Sequence, residues 1–387
     1  MGCSSSSLNK TVIVVGSGYG GCAAAKELEA KGFTVTVISP FGSLAHKYTH
    51  MRACVKPGWE AAVRAPLDKL LKNGTVVKGE VTSVERGKVT LKDGSTLTAD
   101  YIVLAQGAPV KPTGPSAINE LFDDEKAARE AFVAKQKDIL ASQSILIVGA
   151  GPVGLELAGE IKALYPTKKL VVVQSKTAIL SNSYPKFIDK FVQGVEERLK
   201  LMGIELITGA ALADAAVLSA STDGFVKESR EYALTNGTSV QADLVVNCTG
   251  GKKVATSIVP TTSVDADSGL VKVNSFLCVD GLADVFCVGD ANNIKETKLG
   301  YFASLHAKIV AANIANASAG KALKAYTPAN GSDEFGTMFL PLGPKKGISV
   351  MVKTILTDGT TSTIKGKGLF KKMIFKSVNA APPVIKE

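Results

Sequence analysis

Twice along this chain a short run of β-branched and aliphatic residues ends in a glycine-rich turn and passes directly into a segment of helical composition. The first copy is Thr11–Val15, then Gly16-Ser17-Gly18-Tyr19-Gly20-Gly21, then an alanine-rich stretch at 22–30. The second is 145–148, then the turn from Gly149 through Gly151 to Gly154, then 155–164. Both turns read GxGxxG, and the strand before and helix after supply the context such a turn needs. The first glycine permits the tight bend, the second lets the backbone approach a pyrophosphate, and the third lets helix and strand pack closely. The phosphates then lie at the positive end of the helix dipole. One such turn serves one dinucleotide, so two turns predict two, and the economical pair is FAD with a nicotinamide.

The rest of the chain follows from this repeat. Residues 33–38 read as a strand, 76–98 as a β-meander turning at Asp93-Gly94, and Tyr101–Leu104 as a buried strand. Pro109, Pro112 and Pro115 mark a crossing, and 123–140 is helical in composition. After the second glycine turn come a strand at 170–173, a second meander, and the strand Leu244–Asn247. A strand at 285–288 closes in Gly289-Asp290, an alanine-rich helix spans 301–317, and from about Tyr326 the composition shifts to Gly, Thr and Lys with short β-like runs. The expected fold class is α/β. It has two Rossmann-like dinucleotide-binding domains, glutathione-reductase-like, the second inserted in the first, plus a small α+β C-terminal domain. The expected limits are a flexible lipidation segment at 1–10, an FAD-binding domain at 11–112 and 251–325, an NAD(P)H-binding domain at 113–250, and a C-terminal domain at 326–387.

FAD is assigned to the first turn because Gly289-Asp290 completes that site from a distance. The Asp290 carboxylate would hydrogen-bond the ribityl chain, with a plain turn or helix-capping aspartate as the alternative. The helix beginning near Leu299 would aim its N-terminus at the flavin pyrimidine, where reduction places negative charge.

Several segments around these residues resemble the pyridine-nucleotide flavoprotein reductases, and within them the apoptosis-inducing-factor group. They are GSGYGG with AAA after it, the His46…MRACV stretch, ILIVGAGPVGLELAGEIK, LVVNCTG, DVFCVGD and TKLGYFASLHAKIVAANIAN. The resemblance runs from about Leu8 to Pro328. It implies that Gly16, Gly18, Gly20 and Gly21 hold the FAD pyrophosphate, with Arg52 along the FAD site and His46 near it. It implies that Gly149, Gly151 and Gly154 hold the nicotinamide cofactor, NADPH or NADH. Glu156 would stand near the nicotinamide, and Lys298 and His306 beside the flavin, as catalytic candidates. For His306 a core histidine on an alanine-rich helix is an equal reading. The implied reaction carries hydride from nicotinamide to flavin and then electrons to a quinone-type acceptor.

Two positions depart from the pattern. Ser39 stands where an acid is expected for the adenosine ribose of FAD, and Gln174-Ser175-Lys176 lacks the carboxylate that selects NADH. Lys176 is placed to pair with a 2′-phosphate instead. Disulfide reductases of this fold carry a cysteine pair shortly after the second strand. The six cysteines here form no CxxC, and only Cys54 lies nearby, so an intramolecular dithiol relay is excluded and Cys54 reads as a small buried residue. Three dispersed histidines suggest no metal centre.

The N-terminus Met1-Gly2-Cys3-Ser4-Ser5-Ser6 fits MGxxx[ST], making Gly2 a myristoylation candidate with Cys3 available for palmitate. One acyl chain binds a bilayer marginally, so a second signal is needed. Besides Cys3, a candidate is Lys365, Lys367, Lys371, Lys372 and Lys376 interleaved with Leu369, Phe370, Met373, Ile374 and Phe375. That stretch would lie on an anionic surface with its apolar residues inserted, or else pack on the body. The expected location is the cytosolic face of a plasma membrane, lipid droplet or organelle, reached through the lipid anchor. The formal charge of +10 fits solubility as well as it fits anionic partners. The rival reading is a redox-sensing flavoprotein with a basic surface for nucleic acid or a partner. No recognition motif supports nucleic acid, which leaves at most non-specific binding, and oligomeric state is open.

Overall fold

A computed structural model describes residues 10–108, 110–111, 114–116, 124–181, 183, 185–250, 252–253, 256–328 and 335–385. Gly2, Cys3 and all but the last residue of the expected lipidation segment, like Pro109 and Pro112 of the crossing, lie outside the described residues.

The chain opens with β1 (Thr11–Val15), α1 (Tyr19–Glu29) and β2 (Thr34–Ser39). A short helix α2 (His50–Ala53), β3 (Thr75–Lys78) and, after a three-stranded antiparallel meander, β4 (Tyr101–Leu104) follow. The helix α3 (Glu125–Ala141) leads into β5 (Ser144–Val148), α4 (Pro152–Leu164), β6 (Lys169–Gln174), α5 (Asp189–Leu201), β7 (Glu205–Thr208), β8 (Phe225–Val226) and β9 (Leu244–Asn247). The chain then returns to the first sheet with β10 (Cys278–Val279) and β11 (Leu282–Cys287) before the long helix α6 (Gly300–Ser318). The sheets run β10-β11-β4-β1-β2-β3 and β7-β6-β5-β9-β8. β11 lies parallel to β4, so the second unit is an insertion between two pieces of the first.

The central strands are apolar on both faces because each sheet is covered on both sides. Val12 and Val14 of β1 join one core, whereas Ile13 and Val15 join another behind the sheet. β5 divides the same way, Ile145 and Ile147 on one side, Leu146 and Val148 on the other.

One expectation fails. The segment after β6 does not begin as a meander: α5 and β7 intervene and complete a further parallel β-α-β unit. The signal was present, since Phe191, Val195 and Leu199 recur every four residues and all three are buried.

The C-terminal unit is a three-stranded antiparallel sheet of Met338–Pro341, Gly347–Met351 and Thr354–Leu356, followed by a π-helical turn at Ser362–Gly366 and a helix at Lys371–Ser377. It packs on both dinucleotide units. Arg198 of α5 pairs with Asp358 (3.1 Å), and the Lys26 ammonium of α1 donates to the Ser377 carbonyl and the Asn379 side chain, both at 3.0 Å. Against α4 the approach is tightest, because a Cβ on Gly159 would lie 2.4 Å from the Leu342 backbone. The basic segment therefore packs on the body instead of inserting its apolar side chains elsewhere: Leu369, Ile374 and Phe375 are buried, and so is Lys365. Lys367, Lys372, Met373 and Lys376 remain exposed. The Gly159→Ala protein is expected to lose about 1–3 kcal/mol through overpacking, read as a lower thermal midpoint; unchanged stability would mean that α4 does not carry the C-terminal unit.

Candidate active site between two glycine turns

The two glycine turns are near copies in space. Gly16 and Gly149 take φ of +106° and +111°, where side chains are strained, and a Cβ on either would strike a carbonyl oxygen, that of Ala105 at 2.5 Å and that of Cys248 at 2.4 Å. A Cβ on Gly21 or Gly154 would lie 2.0 Å from the carbonyl oxygen of Gly16 or Gly149. These four glycines close helix onto strand. Gly18 and Gly151 differ: a Cβ there meets nothing within 4 Å. Each is the N-cap of its helix and offers no side-chain cap to the first N–H groups of α1 or α4. Space in front of uncapped N–H groups at a helix N-terminus is what a pyrophosphate requires, so both turns fit their dinucleotides. At Gly20 the missing side chain serves packing, since a Cβ on it would lie 3.2 Å from the Ala303 Cβ of α6.

The two units converge at Tyr48. Its phenol feels the charge of both Asp290, at the foot of the first sheet, and Glu156, on the first turn of α4, and burial with those two acids pushes its pKa up to about 12. Tyr19 stacks on it at 5.1 Å, Phe370 meets it edge-on at 5.5 Å, and the N-terminus of α6 begins there, a Cβ on Gly300 falling 2.7 Å from Tyr19 and 3.0 Å from the Tyr48 hydroxyl. The Tyr19 hydroxyl is 2.9 Å from Nδ1 of His46, a fully buried imidazole that desolvation holds neutral, with its pKa lowered to about 3.

Glu156 is held by a residue the sequence did not connect with it. Lys365, from the π-helical turn, reaches it at 2.7 Å, donates to the Phe339 carbonyl at 3.0 Å, and lies 5.1 Å from the Tyr48 ring centroid. The backbone just beyond is strained, since Leu369 and Phe370 both take positive φ (46° and 59°).

Around Asp290, burial raises the carboxyl pKa while Lys298 and Lys47 oppose the shift. The Lys298 ammonium donates to the carbonyls of Asn292 (2.8 Å) and Ile294 (3.1 Å) and to the Asn292 amide oxygen (3.2 Å). Burial lowers its pKa, with Asp290 and Glu296 working against the fall. His306 stands behind this turn. Its Nδ1 accepts the Gly289 N–H at 3.0 Å, which places the proton of the neutral ring on Nε2. Nε2 is 2.6 Å from Glu296 Oε1, in contact but not along a hydrogen-bond axis, and Tyr326 donates to the other Glu296 oxygen at 2.7 Å. His306 is 1% exposed and acts on the site through Gly289, so the core-histidine reading describes its contacts.

Arg52 requires a correction. Its guanidinium makes four hydrogen bonds, two to Glu160 of α4 (2.9 and 2.6 Å) and one each to the carbonyls of Gly366 (2.6 Å) and Lys367 (3.0 Å). It also lies over the Trp59 ring at 4.7 Å. Donors committed in this way leave Arg52 clamping three parts of the chain instead of lying along the FAD site.

Cys54 and Cys248 are buried, and desolvation pushes both thiols up, Cys248 to about 12. Neither is poised as a thiolate at neutral pH. At the end of β6 the Gln174 side chain turns inward to accept the Ala150 N–H (3.1 Å), while Lys176 is exposed.

Because Gly18 and Gly151 face open space, a side chain at either blocks a dinucleotide without disturbing the fold. Gly18→Val is expected to yield a folded, colourless protein. Gly151→Val should keep FAD yet lose reduction by nicotinamide, at least about a hundredfold in kcat/KM (two decades, about 2.7 kcal/mol). Flavin absorbance and anaerobic reduction kinetics read both; flavin retained by the Gly18 variant would refute the assignment of the turns.

The family model for pyridine nucleotide-disulphide oxidoreductases matches residues 10–315. Apoptosis-inducing factor homolog B of Dictyostelium discoideum is 34% identical over 391 residues, covering 97% of this chain and 98% of that protein. Ferroptosis suppressor protein 1 of Homo sapiens is 28% identical over 380 residues, covering 96% of each. Among solved structures, the sulfide:quinone oxidoreductase of Aquifex aeolicus superposes with a TM-score of 0.69 at 17% identity, over 95% of this chain and 91% of that one. NDH2 of Plasmodium falciparum in complex with NADH gives 0.66 at 14% identity, over 97% and 100%. Two glycine turns fit for dinucleotides, converging on one half-buried site, agree with these matches, and the chain belongs to the pyridine nucleotide-disulphide oxidoreductase family as an FAD-dependent NAD(P)H oxidoreductase.

Proposed function

We propose that this oxidoreductase delivers its electrons directly to a quinone-type acceptor at a membrane surface. The observation that carries the reading is the convergence at Tyr48, where Asp290 and the Glu156–Lys365 pair meet, while the thiols of the described residues are all pushed up by burial. FAD, when bound, supplies the hydride-accepting and electron-releasing chemistry. The protein's part is positional and electrostatic. Gly18 and Gly151 admit the two pyrophosphates, His306 and Lys298 fix the Gly289-Asp290 turn, and the N-terminus of α6 offers partial positive charge. Lys365 holds Glu156 in place and keeps a cation close to the meeting point. Cys54 and Cys248 are buried with their pKa values pushed up, so neither is poised as the thiolate that a relay would need. The fold is shared with a sulfide:quinone oxidoreductase, whose acceptor is of this class.

With Gln174 turned to the backbone and Lys176 exposed, no acid among the described residues 174–178 at the end of β6 repels a 2′-phosphate, so NADPH is accepted at least as readily as NADH. Membrane attachment would come from acylation of Gly2, with Cys3 or the exposed Lys367, Lys372 and Lys376 as the second signal.

An acceptor panel on FAD-loaded protein should show turnover with short- and long-chain quinones above that with dioxygen or disulfides, unchanged in Cys54→Ser. In the same assay Lys176→Glu is expected to lower kcat/KM for NADPH about tenfold relative to NADH, about 1.4 kcal/mol. Disulfides as the best acceptor, or loss of quinone reduction in the Cys54 variant, would overturn the direct-transfer reading. Separately, Gly2→Ala expressed in a eukaryotic host should move from membranes to cytosol while its rate with a soluble quinone holds. Persistence on membranes, or an intact mass without an acyl group on the wild type, would remove the anchor.

A further inference from the structure

The end of β2, where this class of fold usually offers a carboxylate to the adenosine ribose, is the weakest point of the FAD site. Ser39 is 2% exposed, and its hydroxyl is already engaged. It lies 2.7 Å from the Ser17 hydroxyl and accepts the Phe41 N–H at 3.3 Å, and Ser17 in turn reaches the Ser43 carbonyl at 3.4 Å. The consistent direction runs from the Phe41 N–H to Ser39, from Ser39 to Ser17, and from Ser17 to the carbonyl. The Ser39 proton is spent inside the protein, leaving no charge and no donor for a sugar.

Beside it is a cleft of about 350 Å³ lined by Gly42, Ser43, Arg64, Lys78, Asp124 and Glu125, within the size range of small-ligand sites. It opens at the carboxyl ends of β2 and β3, whose last residues, Ser39 and Lys78, are paired across the sheet. Ligands of open α/β sheets bind in that crevice, and the phosphate turn at Gly18 belongs to the same sheet. Arg64 is buried with its guanidinium over the Phe41 ring at 4.7 Å. The acids come from a different unit: Asp124 caps α3, accepting the Ala127 N–H at 2.9 Å, and Glu125 begins that helix. The Ala127 and Lys126 N–H groups hold the Asp124 carboxyl below its ordinary range, with the charges of Lys126 and Arg64 adding to the shift. Glu125 pairs through one oxygen with Arg129, one turn on. Two bases and two acids leave the lining with no net formal charge. That balance suits an uncharged nucleoside better than another phosphate, and the carboxylates are natural acceptors for ribose hydroxyls.

The adenosine half of FAD falls at this end of the sheet in this class of fold, and we propose that Glu125 on α3 binds the ribose hydroxyls that the end of β2 leaves unmet. FAD then touches both units, its pyrophosphate on α1 and its ribose on the helix that leads into the nicotinamide-binding sheet. Loading FAD joins α3 to the first sheet, and the acid missing at Ser39 is relocated across the domain boundary.

The test uses the full-length protein stripped of flavin and titrated with FAD and with a 2′,3′-dideoxyadenosine analogue of FAD. The wild type should bind FAD about tenfold more tightly than the analogue, as expected for one charge-assisted hydrogen bond. Glu125→Gln should bind FAD about tenfold more weakly than wild type and no longer distinguish the two ligands, because the lost contact and the lost hydroxyls are the same interaction. Arg129→Gln removes the helical ion pair but keeps the carboxylate, and should retain wild-type FAD affinity. Glu125→Gln discriminating as well as wild type, wild type failing to discriminate at all, or Arg129→Gln reproducing the loss of affinity would each overturn the assignment. Apoprotein melting points of the three proteins identify any variant that has lost its fold, and Glu125→Asp, which restores a carboxylate, should recover part of the discrimination.

Discussion

Arg52 is almost wholly withdrawn from water, and a buried guanidinium is tolerable only when its donors are met. Here they are met from three directions: the Glu160 carboxylate of α4, and the carbonyls of Gly366 and Lys367 in the C-terminal unit, while Arg52 itself belongs to α2 of the first unit. Burial raises the pKa of Glu160, and the Arg52 guanidinium beside it opposes the rise. Removing one partner of such a buried pair costs about 3–5 kcal/mol, more than an exposed one by several-fold. The clamp sits one turn of α4 beyond Glu156. The register of that helix against α2 therefore sets where Glu156 stands relative to Tyr48. The distance between the two cofactor sites is thus held by an interaction that touches neither.

The parts of the fold that could be read from sequence are those with a local signal. Strands β1, β4 and β9 are continuous aliphatic runs, and the glycine turns carry their geometry in their spacing. Helix α5 was legible too, through Phe191, Val195 and Leu199, but its polar face disguised it as the alternation of a meander. The clamp and the Glu156–Lys365 pair were not legible. Their partners are separated by 108 and 209 residues, and nothing local to a glutamate states which distant cation it will meet. The C-terminal lysines show the converse ambiguity. Basic residues interleaved with apolar ones describe a helix packed on a protein as well as one lying on a lipid surface, because both bury one face and solvate the other. Which face is buried was decided by Leu369, Ile374 and Phe375 finding a core.

His306 illustrates how a residue can lie in the right segment and have a different task. Its helix carries the N-terminus that faces the meeting point, which makes any histidine on it a candidate for proton transfer. The ring instead spends Nδ1 on the Gly289 N–H and turns Nε2 toward Glu296. Gly289 takes a positive φ, and a Cβ there would lie 3.0 Å from Ala303, so the turn bearing Asp290 is pressed against α6 and held from behind by the histidine. The imidazole fixes the carboxylate's place without approaching the chemistry.

The charges around Tyr48 come as two acid–base neighbours, Asp290 with Lys298 and Glu156 with Lys365. Each is neutral as a unit, which limits the desolvation cost of burying it. Electrons entering the site add negative charge, and in a low-dielectric setting that charge is stabilised only by positive groups already in position. The two lysines and the N-terminus of α6 are such groups, and they come from different parts of the chain. Lys298 belongs to the loop after the first sheet, whereas Lys365 comes from the C-terminal unit. A protein lacking that unit would keep both glycine signatures in its sequence but lose the part of the shared core that Leu340, Leu342 and Phe375 supply. It would leave the half-buried Glu156 beside Tyr48 without Lys365 to balance it, and Glu160 with no main-chain carbonyls to share its arginine. The C-terminal unit is therefore part of the active site, even though no residue of it appears in either dinucleotide signature.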